Sequence, residues 1–211
     1  MKTIKINKNN FTKMDIDFIA DKLRQGKVVV LPTDTIYSLH CIATNKKAIE
    51  KIYKIKKRNK KCPLLVLVKS YCMLHDYSFV FKEQERYIRS IWPPTTRLAQ
   101  DKNYLYKKKP TTFILKAREK LPKEIRGKDN SLAFRLPKDD FLIKIIIRLN
   151  IPLISTSFNI SGEEYNENFL LKFKEFSLNP DIIVDSGKSK NIKGSRIINI
   201  ININNIKVIR N

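Results

Sequence analysis

An α/β chain, built as a twisted mixed sheet with helices against it, is predicted by three features of these 211 residues. Short apolar runs such as Val28-Val29-Val30-Leu31 and Leu64-Leu65-Val66-Leu67-Val68 have the length and branching of strands buried on both faces. Between such runs lie stretches whose apolar residues recur every three or four positions, the period of a half-buried helix. The two patterns alternate with no internal repeat and no linker, so one domain over 1–211 is expected.

Taken in order, a short edge strand is expected around Ile4 and Ile6. Thr12 can cap a helix carrying Ile16, Ile19, Ala20 and Leu23, with Gly26 as the left-handed residue beyond its end. Residues 27–32 form the strand around which the rest is organised. Pro32 ends it, having no N–H for a ladder. Thr33-Asp34-Thr35 therefore sit at the carboxyl end of a buried strand, where ligands bind in open α/β sheets. A segment at 39–43 leads to Asn45, the cap of a helix over 46–56 with Ile49, Ile52 and Tyr53 inward. Lys56 falls on that inward face. Arg58 would lie about 200° further round if the helix continued. The pair can address one ligand only if the helix ends near Lys56, and Pro63 makes that the expectation.

Residues 63–68 read as a strand, and 70–92 as mostly helical with breaks near 76–78. The stretch 93–110 lacks periodicity and reads as a loop. Strands follow at 111–116, running on toward Leu121-Pro122, and at 131–136, stopped by Pro137. Asp139 caps a helix with Phe141, Leu142, Ile145, Ile146 and Leu149 on one face. A strand over 151–156 is expected to stay extended, so that Ser155, Ser157 and Asn159 share one side and Phe158 packs on the other. A helix at 166–176 and strands at 181–184, 196–200 and 206–209 complete the chain.

Composition narrows the function less than it first suggests. The formal net charge is +23, which fits contact with RNA. It also fits AT-rich coding bias, because Lys, Asn and Ile are all abundant while glycines number five. No apolar run is long enough to span a membrane and the first residues carry no signal-like stretch, so a soluble, cytoplasmic protein without membrane contact is expected. Three irregularly spaced cysteines suggest no disulfide framework. His40-Cys41 and Cys72-x-x-His75 lack the spacing of a zinc site and read as core and surface residues, so no protein metal site is expected.

No Walker loop, G-x-S-x-G, H-E-x-x-H or glycine-rich dinucleotide turn is present. What recurs instead is a set of polar strand ends: PTDT at 32–35, Lys56-x-Arg58, SLAFR at 131–135, STSFN at 155–159 and GSR at 194–196. Hydroxyls, amides and cations in that proportion, with few carboxylates, suit an anionic substrate such as a nucleoside triphosphate with a small acid. Nucleotidyl transfer asks a protein mainly for positioning and charge neutralisation.

These motifs, in this order, resemble the YrdC-like family, the threonylcarbamoyl-adenylate synthases that make the intermediate for threonylcarbamoyladenosine in tRNA. The resemblance runs through GKVVVLPTDTIYSL, AIEKIYKIKKRNKKCPLLVLV, PTTFILKA, LAFRLP, STSFNISGEE, DIIVDSG and GSRIINI. It implies that Thr35, Arg135 and Ser155 bind threonine. Lys56 and Arg58 would carry the catalysis and hold the triphosphate, joined on the nucleotide by Ser131, Ser157, Asn159 and Ser195. It also implies ATP as substrate with Mg2+, bicarbonate and L-threonine as co-substrates, contact with tRNA or double-stranded RNA, and a downstream threonylcarbamoyl transferase complex. The implied fold is a twisted mixed sheet with a basic concave face.

The chain departs from the family pattern at several places. Tyr37-Ser38-Leu39-His40 replaces the usual Tyr-Gly-Leu-Gly, and Trp92-Pro93-Pro94 lacks the glycine of Trp-Pro-Gly. The segment before Pro110-Thr111-Thr112 looks inserted. Ser157-Phe158-Asn159 replaces Ser-Ala-Asn, Ser195-Arg196 replaces Ser-Thr, and Cys62 stands where a polar residue is usual. Two other readings therefore stand beside the synthase: a non-catalytic RNA-binding protein of the same fold, and carbamoyl-adenylate chemistry on another substrate.

Overall fold

The computed structural model describes residues 2–92, 109–163, 178–188 and 193–211. Among the described residues, eleven strands form one mixed sheet. They are β1 (Lys2–Lys5), β2 (Val29–Leu31), β3 (Ser38–Ile42), β4 (Leu65–Leu67), β5 (Ser78–Phe79), β6 (Thr111–Ala117), β7 (Ser131–Arg135), β8 (Leu153–Ser157), β9 (Ile182–Asp185), β10 (Arg196–Asn199) and β11 (Lys207–Arg210). The order across the sheet is β1-β9-β2-β3-β8-β4-β7-β6-β10-β11, with β5 paired to β6. Parallel pairs (β1 with β9, β9 with β2, β4 with β7, β6 with β10) are interleaved with antiparallel ones. The mixed sheet flanked by helices is as the sequence predicts. The expected loop at 93–110 and helix at 166–176 fall largely or wholly outside the described residues.

The helices begin where the sequence offers caps. In α1 (Lys13–Arg24) the Thr12 hydroxyl accepts from the Asp15 amide at 3.2 Å while the Asp15 carboxylate takes the Thr12 amide at 2.8 Å, a reciprocal capping box. Asn45 caps α2 (Lys46–Ile55), Ser70 caps α3 (Tyr71–Tyr77), and Asp139 caps α5 (Asp140–Leu149). Helix α4 (Lys82–Ile91) follows the short β5, which the sequence reading took only as a helix break. Helix α1 packs against α5, and α2 against β3. No helix among the described residues is long and apolar enough to cross a membrane.

Strand register gives the sheet two unlike faces. Ser38 pairs with Ser157 and His40 with Ser155, Ser155 pairs with Leu65, and Leu65 pairs with Ala133. Alternation then puts Ser131 and Arg135 on the same face as these serines. The opposite face carries Val30, Leu39, Cys41, Ile154, Val66, Leu132, Phe134, Phe113 and Leu115, all buried in the apolar core. One face is thus packed with hydrocarbon while the middle of the other is lined with hydroxyls, an imidazole and a guanidinium.

Candidate functional site

The loop after β2 is built on hydroxyls. The Thr33 hydroxyl donates to the Ile36 carbonyl at 2.9 Å, accepts the Thr35 amide at 2.9 Å, and lies 2.9 Å from the Thr35 hydroxyl. Both threonines are buried. Arg135, at the end of β7, donates from Nη1 to the Thr35 hydroxyl at 3.2 Å and pairs through Nη2 with the Asp34 carboxylate. The other Asp34 oxygen accepts the Lys138 amide at 3.2 Å. Lys8 closes the loop from outside, donating to the Thr33 carbonyl at 2.7 Å and to Asp139 at 3.1 Å. Burial pushes the Asp139 carboxyl up, and Lys8 opposes that shift. Neither Lys8 nor Asp34 was singled out as a site residue in the sequence. Nothing in spacing marks Lys8, which lies 25 residues from Thr33.

The second cluster is centred on Lys56. Helix α2 does end there: Lys57 adopts φ +49°, and its amide and that of Arg58 bond back to the carbonyls of Lys54 and Tyr53 at 3.1 and 3.0 Å. This is a Schellman turn with lysine where glycine is usual. Lys56, 1% exposed, donates to the Ser157 carbonyl at 2.5 Å, the Asn159 carbonyl at 2.8 Å and the Asn159 side-chain oxygen at 2.9 Å. Burial first, and the Arg58 charge second, push its pKa down to about 7, while the surrounding oxygens favour the ammonium form. The Ser157 hydroxyl donates to the same Asn159 oxygen at 2.5 Å. Arg58 is half-buried across the turn, donating to the Pro63 carbonyl at 2.9 Å and the Cys62 carbonyl at 3.4 Å.

The expected side-sharing of Ser155, Ser157 and Asn159 needs one correction. Strand β8 stops at Ser157, and the Asn159 amide turns back to the Ser157 carbonyl at 3.0 Å. Asn159 therefore meets Ser157 through a tight turn, which Lys56 fastens from below, and not through alternation. Phe158 is fully buried in the apolar core, as expected.

The remaining nominated residues lie further out along the sheet. Ser131 opens β7, four residues before Arg135 and so about 13 Å away at strand rise, and its hydroxyl bonds the Asp129 carboxylate. Continuing the β4 registers by two residues puts Ser131 and Ser157 on either side of Pro63, so Ser131 shares the Ser157 end of the face and not the Arg135 end. Ser195 is buried, its hydroxyl 2.8 Å from that of Thr112. Arg210 donates to the Ser195 carbonyl at 2.8 and 2.6 Å. Arg210 pairs with Ile197, which pairs with Thr112, so it lies in the row of Arg135. The Arg135 charge adds to burial in lowering the Arg210 pKa. The sequence reading passed over Arg210 because a single arginine in a terminal strand carries no spacing signal.

A hard cation prefers several oxygen ligands. Among the described residues no group of three His, Cys, Asp or Glu could hold one, and Asp34 is engaged with Arg135. The described residues do not make a protein-built magnesium site.

Residues 21–211 match the model of the Sua5/YciO/YrdC family, described as "Telomere recombination". A putative threonylcarbamoyl-AMP synthase of Methanocaldococcus jannaschii is 30% identical over 200 residues, spanning 95% of this chain and 86% of that protein. The threonylcarbamoyl-AMP synthase of Blochmanniella floridana is 29% identical over 72% of this chain and 74% of its own length. Among solved structures, a variant of Pyrococcus abyssi Sua5 superposes with a TM-score of 0.78 at 26% identity over 94% of this chain, which spans 54% of the Sua5 chain. Escherichia coli YciO gives 0.76 at 22% identity, covering 99% of this chain and 93% of its own, a likeness of fold. With the family model covering all but the first twenty residues, the chain belongs to the Sua5/YciO/YrdC family.

Proposed function

We propose that this protein is a threonylcarbamoyl-AMP synthase, converting L-threonine, bicarbonate and ATP into threonylcarbamoyl-AMP and pyrophosphate. The observation that carries the reading is the Arg135–Thr35 contact on the polar face of the sheet, in a chain whose relatives bear that name. A P. abyssi Sua5 structure holds L-threonine. Arg135, Thr35 and Ser155 would receive the amino acid, with the guanidinium exchanging Asp34 for the substrate carboxylate as its partner.

The threonine amine and bicarbonate give a carbamate and water. A carbamate oxygen then forms a bond to the α-phosphorus, and the bond from that phosphorus to the β-phosphate bridge breaks, its electron pair leaving on pyrophosphate. Arg58, with guanidinium protons unused among the described residues, would neutralise the charge of the triphosphate, and Arg210 would add to the positive field from the Arg135 row. Ser157, Asn159, Ser131 and Ser195 would orient the nucleotide. Lys56 acts on this reading through Ser157 and Asn159, whose turn it holds. Magnesium would enter with the triphosphate, and no step here runs through it. Product would pass to a transferase acting on tRNA in the cytoplasm, and the charge of +23 supports an RNA contact that weakens steeply with salt.

The test is pyrophosphate release with appearance of the threonylcarbamoyl-adenylate mass. Arg58→Lys is expected to lower turnover about 10²–10³-fold, because a point charge cannot replace a planar fork. Lys57→Ala, which removes a neighbouring charge, should leave it within about twofold. Equal losses in both would reduce Arg58 to general electrostatics. No product from the unaltered chain would refute the synthase and favour the RNA-binding alternative.

A further inference from the structure

One side chain on the polar face is left over by this account. His40 stands in β3 directly opposite Ser155, on the face shared with Ser38, Ser157 and Arg135. Its side chain has no exposed surface, yet neither Nδ1 nor Nε2 makes a well-formed hydrogen bond among the described residues, although the Ile154 backbone lies close enough to favour the protonated ring. The Nε of Arg135 is orphaned in the same way, and the Arg135 charge acts on the ring. Two buried polar groups on this face thus keep unused hydrogen-bonding capacity, and His40 stands opposite Ser155, which is assigned to the amino acid. Buried polar atoms without partners cost stability. Packing alone would be served better by leucine or methionine, so packing does not explain a histidine here. Burial pushes its pKa down to about 3, so at neutral pH the ring offers one N–H donor and one lone pair. A hydroxyl, which both donates and accepts, is the complement of that pair.

We propose that His40 is a binding residue of the amino-acid subsite and hydrogen-bonds the side-chain hydroxyl of a hydroxy amino acid. This rests on the synthase reading for the identity of the substrate, and it adds how threonine is told from an apolar residue of the same size. The ring is closed off, so substrate reaches it by displacing what lies over the row. A carboxylate that takes Arg135 from Asp34 and Thr35 would do so on the face that carries the imidazole, within reach of the Arg135 charge. A site that hydrogen-bonds a substrate hydroxyl rejects the analogue lacking it, because its own polar groups are then left unpaired.

The experiment measures the Kd of L-threonine and of L-valine on the purified full chain by calorimetry, without ATP, so that it does not depend on turnover. The ring nitrogens of His40 are followed by ¹⁵N NMR in the same titrations. The unaltered chain should prefer threonine, with a shift of the His40 nitrogens on threonine and not on valine. His40→Leu should weaken threonine about tenfold, the worth of one hydrogen bond, and leave valine unchanged. His40→Gln, which restores a donor and an acceptor and serves if the leucine variant fails to fold, should recover part of the preference. An unchanged threonine-to-valine ratio in His40→Leu would overturn the proposal, as would equal behaviour of the two variants, unmoved ring nitrogens, or no threonine binding at all. If the preference depends on His40 but no adenylate forms when ATP and bicarbonate are added, the inference stands and the synthase reading falls.

Discussion

Lys56 and Arg135 are the lysine and the arginine buried among the described residues, 1% and 5% exposed, and their surroundings differ in kind. Lys56 has no counter-ion among the described residues. Its ammonium is met by two backbone carbonyls and an amide oxygen, which together use its three protons. Arg135 has a counter-ion in Asp34 and a hydroxyl in Thr35, yet keeps Nε without a partner among the described residues. A cation saturated by neutral dipoles is a fastener, because any ligand would have to outbid three good hydrogen bonds. A cation with a side-chain carboxylate for partner and a spare donor can change partners. On the proposed synthase reading, this difference fits Lys56 to shaping the site and Arg135 to receiving substrate.

The largest effect should come from the Arg135 side. Asp34→Asn removes the charge partner of a buried guanidinium, a change that typically costs about 3–5 kcal/mol, read as a fall in the denaturant midpoint. If Arg135 is the receiving cation, added L-threonine should recover more of that midpoint in the variant than it adds to the unaltered chain, because the ligand carboxylate replaces the missing one. Equal threonine-induced shifts in the two proteins would place the carboxylate elsewhere.

Lys56→Met comes next. It leaves three buried oxygens without their donor at about 1–3 kcal/mol each, partly offset by the apolar replacement, for a net loss of about 3 kcal/mol. The titration of Lys56 sharpens the contrast further. Its pKa is about 7 in the folded chain against 10.5 ordinarily. Between those values the unfolded chain binds more protons than the folded one, so stability should rise with pH from about 7 to about 10.5. That rise should be absent from Lys56→Met. A flat profile in the unaltered chain would mean that the three oxygens bonded to the amine fully cancel its desolvation.

The two clusters were not equally legible in the sequence. Lys56 could be read because helix period placed it inward and Pro63 forced the helix to end, and both are local signals. The turn that joins Asn159 to Ser157 was misread as alternation, since nothing local announces that β8 stops at Ser157. Thr35 and Arg135 could be nominated separately from strand ends, but their meeting depends on a 100-residue separation bridged by strand order. Ser131 and Arg135 come from one strand but are assigned to different ligands, Ser131 with Ser157 on the nucleotide, and the register places Ser131 at the Ser157 end of the face. His40 reads in the sequence as an ordinary core or surface residue because its pairing with Cys41 lacks zinc-site spacing, and it is buried. Its unpaired nitrogens could appear only once its neighbours across β8 were known. Apolar periodicity and caps thus gave nearly every element, while long-range hydrogen bonds, which leave no periodic trace, decide what the polar face can do.

The smallest effect should be that of Lys8, which joins the Arg135 side from a part of the chain outside the family match. It bridges the Thr33 carbonyl and the Asp139 carboxylate, so it ties the loop after β2 to the N-terminus of α5. With its side chain 28% exposed, the charge pair is partly screened, and Lys8→Met should cost only about 1 kcal/mol. The loop itself is the better readout. If Lys8 helps to hold it, amide hydrogen exchange at Thr35 and Ile36 should quicken in Lys8→Met while exchange at Phe158 and Asn159, on the Lys56 side, stays as it was. Lys8→Arg, which keeps the charge, should restore part of the protection. Quickening on both sides would mean that the two clusters open together, and the division between a fastening cation and a receiving one would no longer hold.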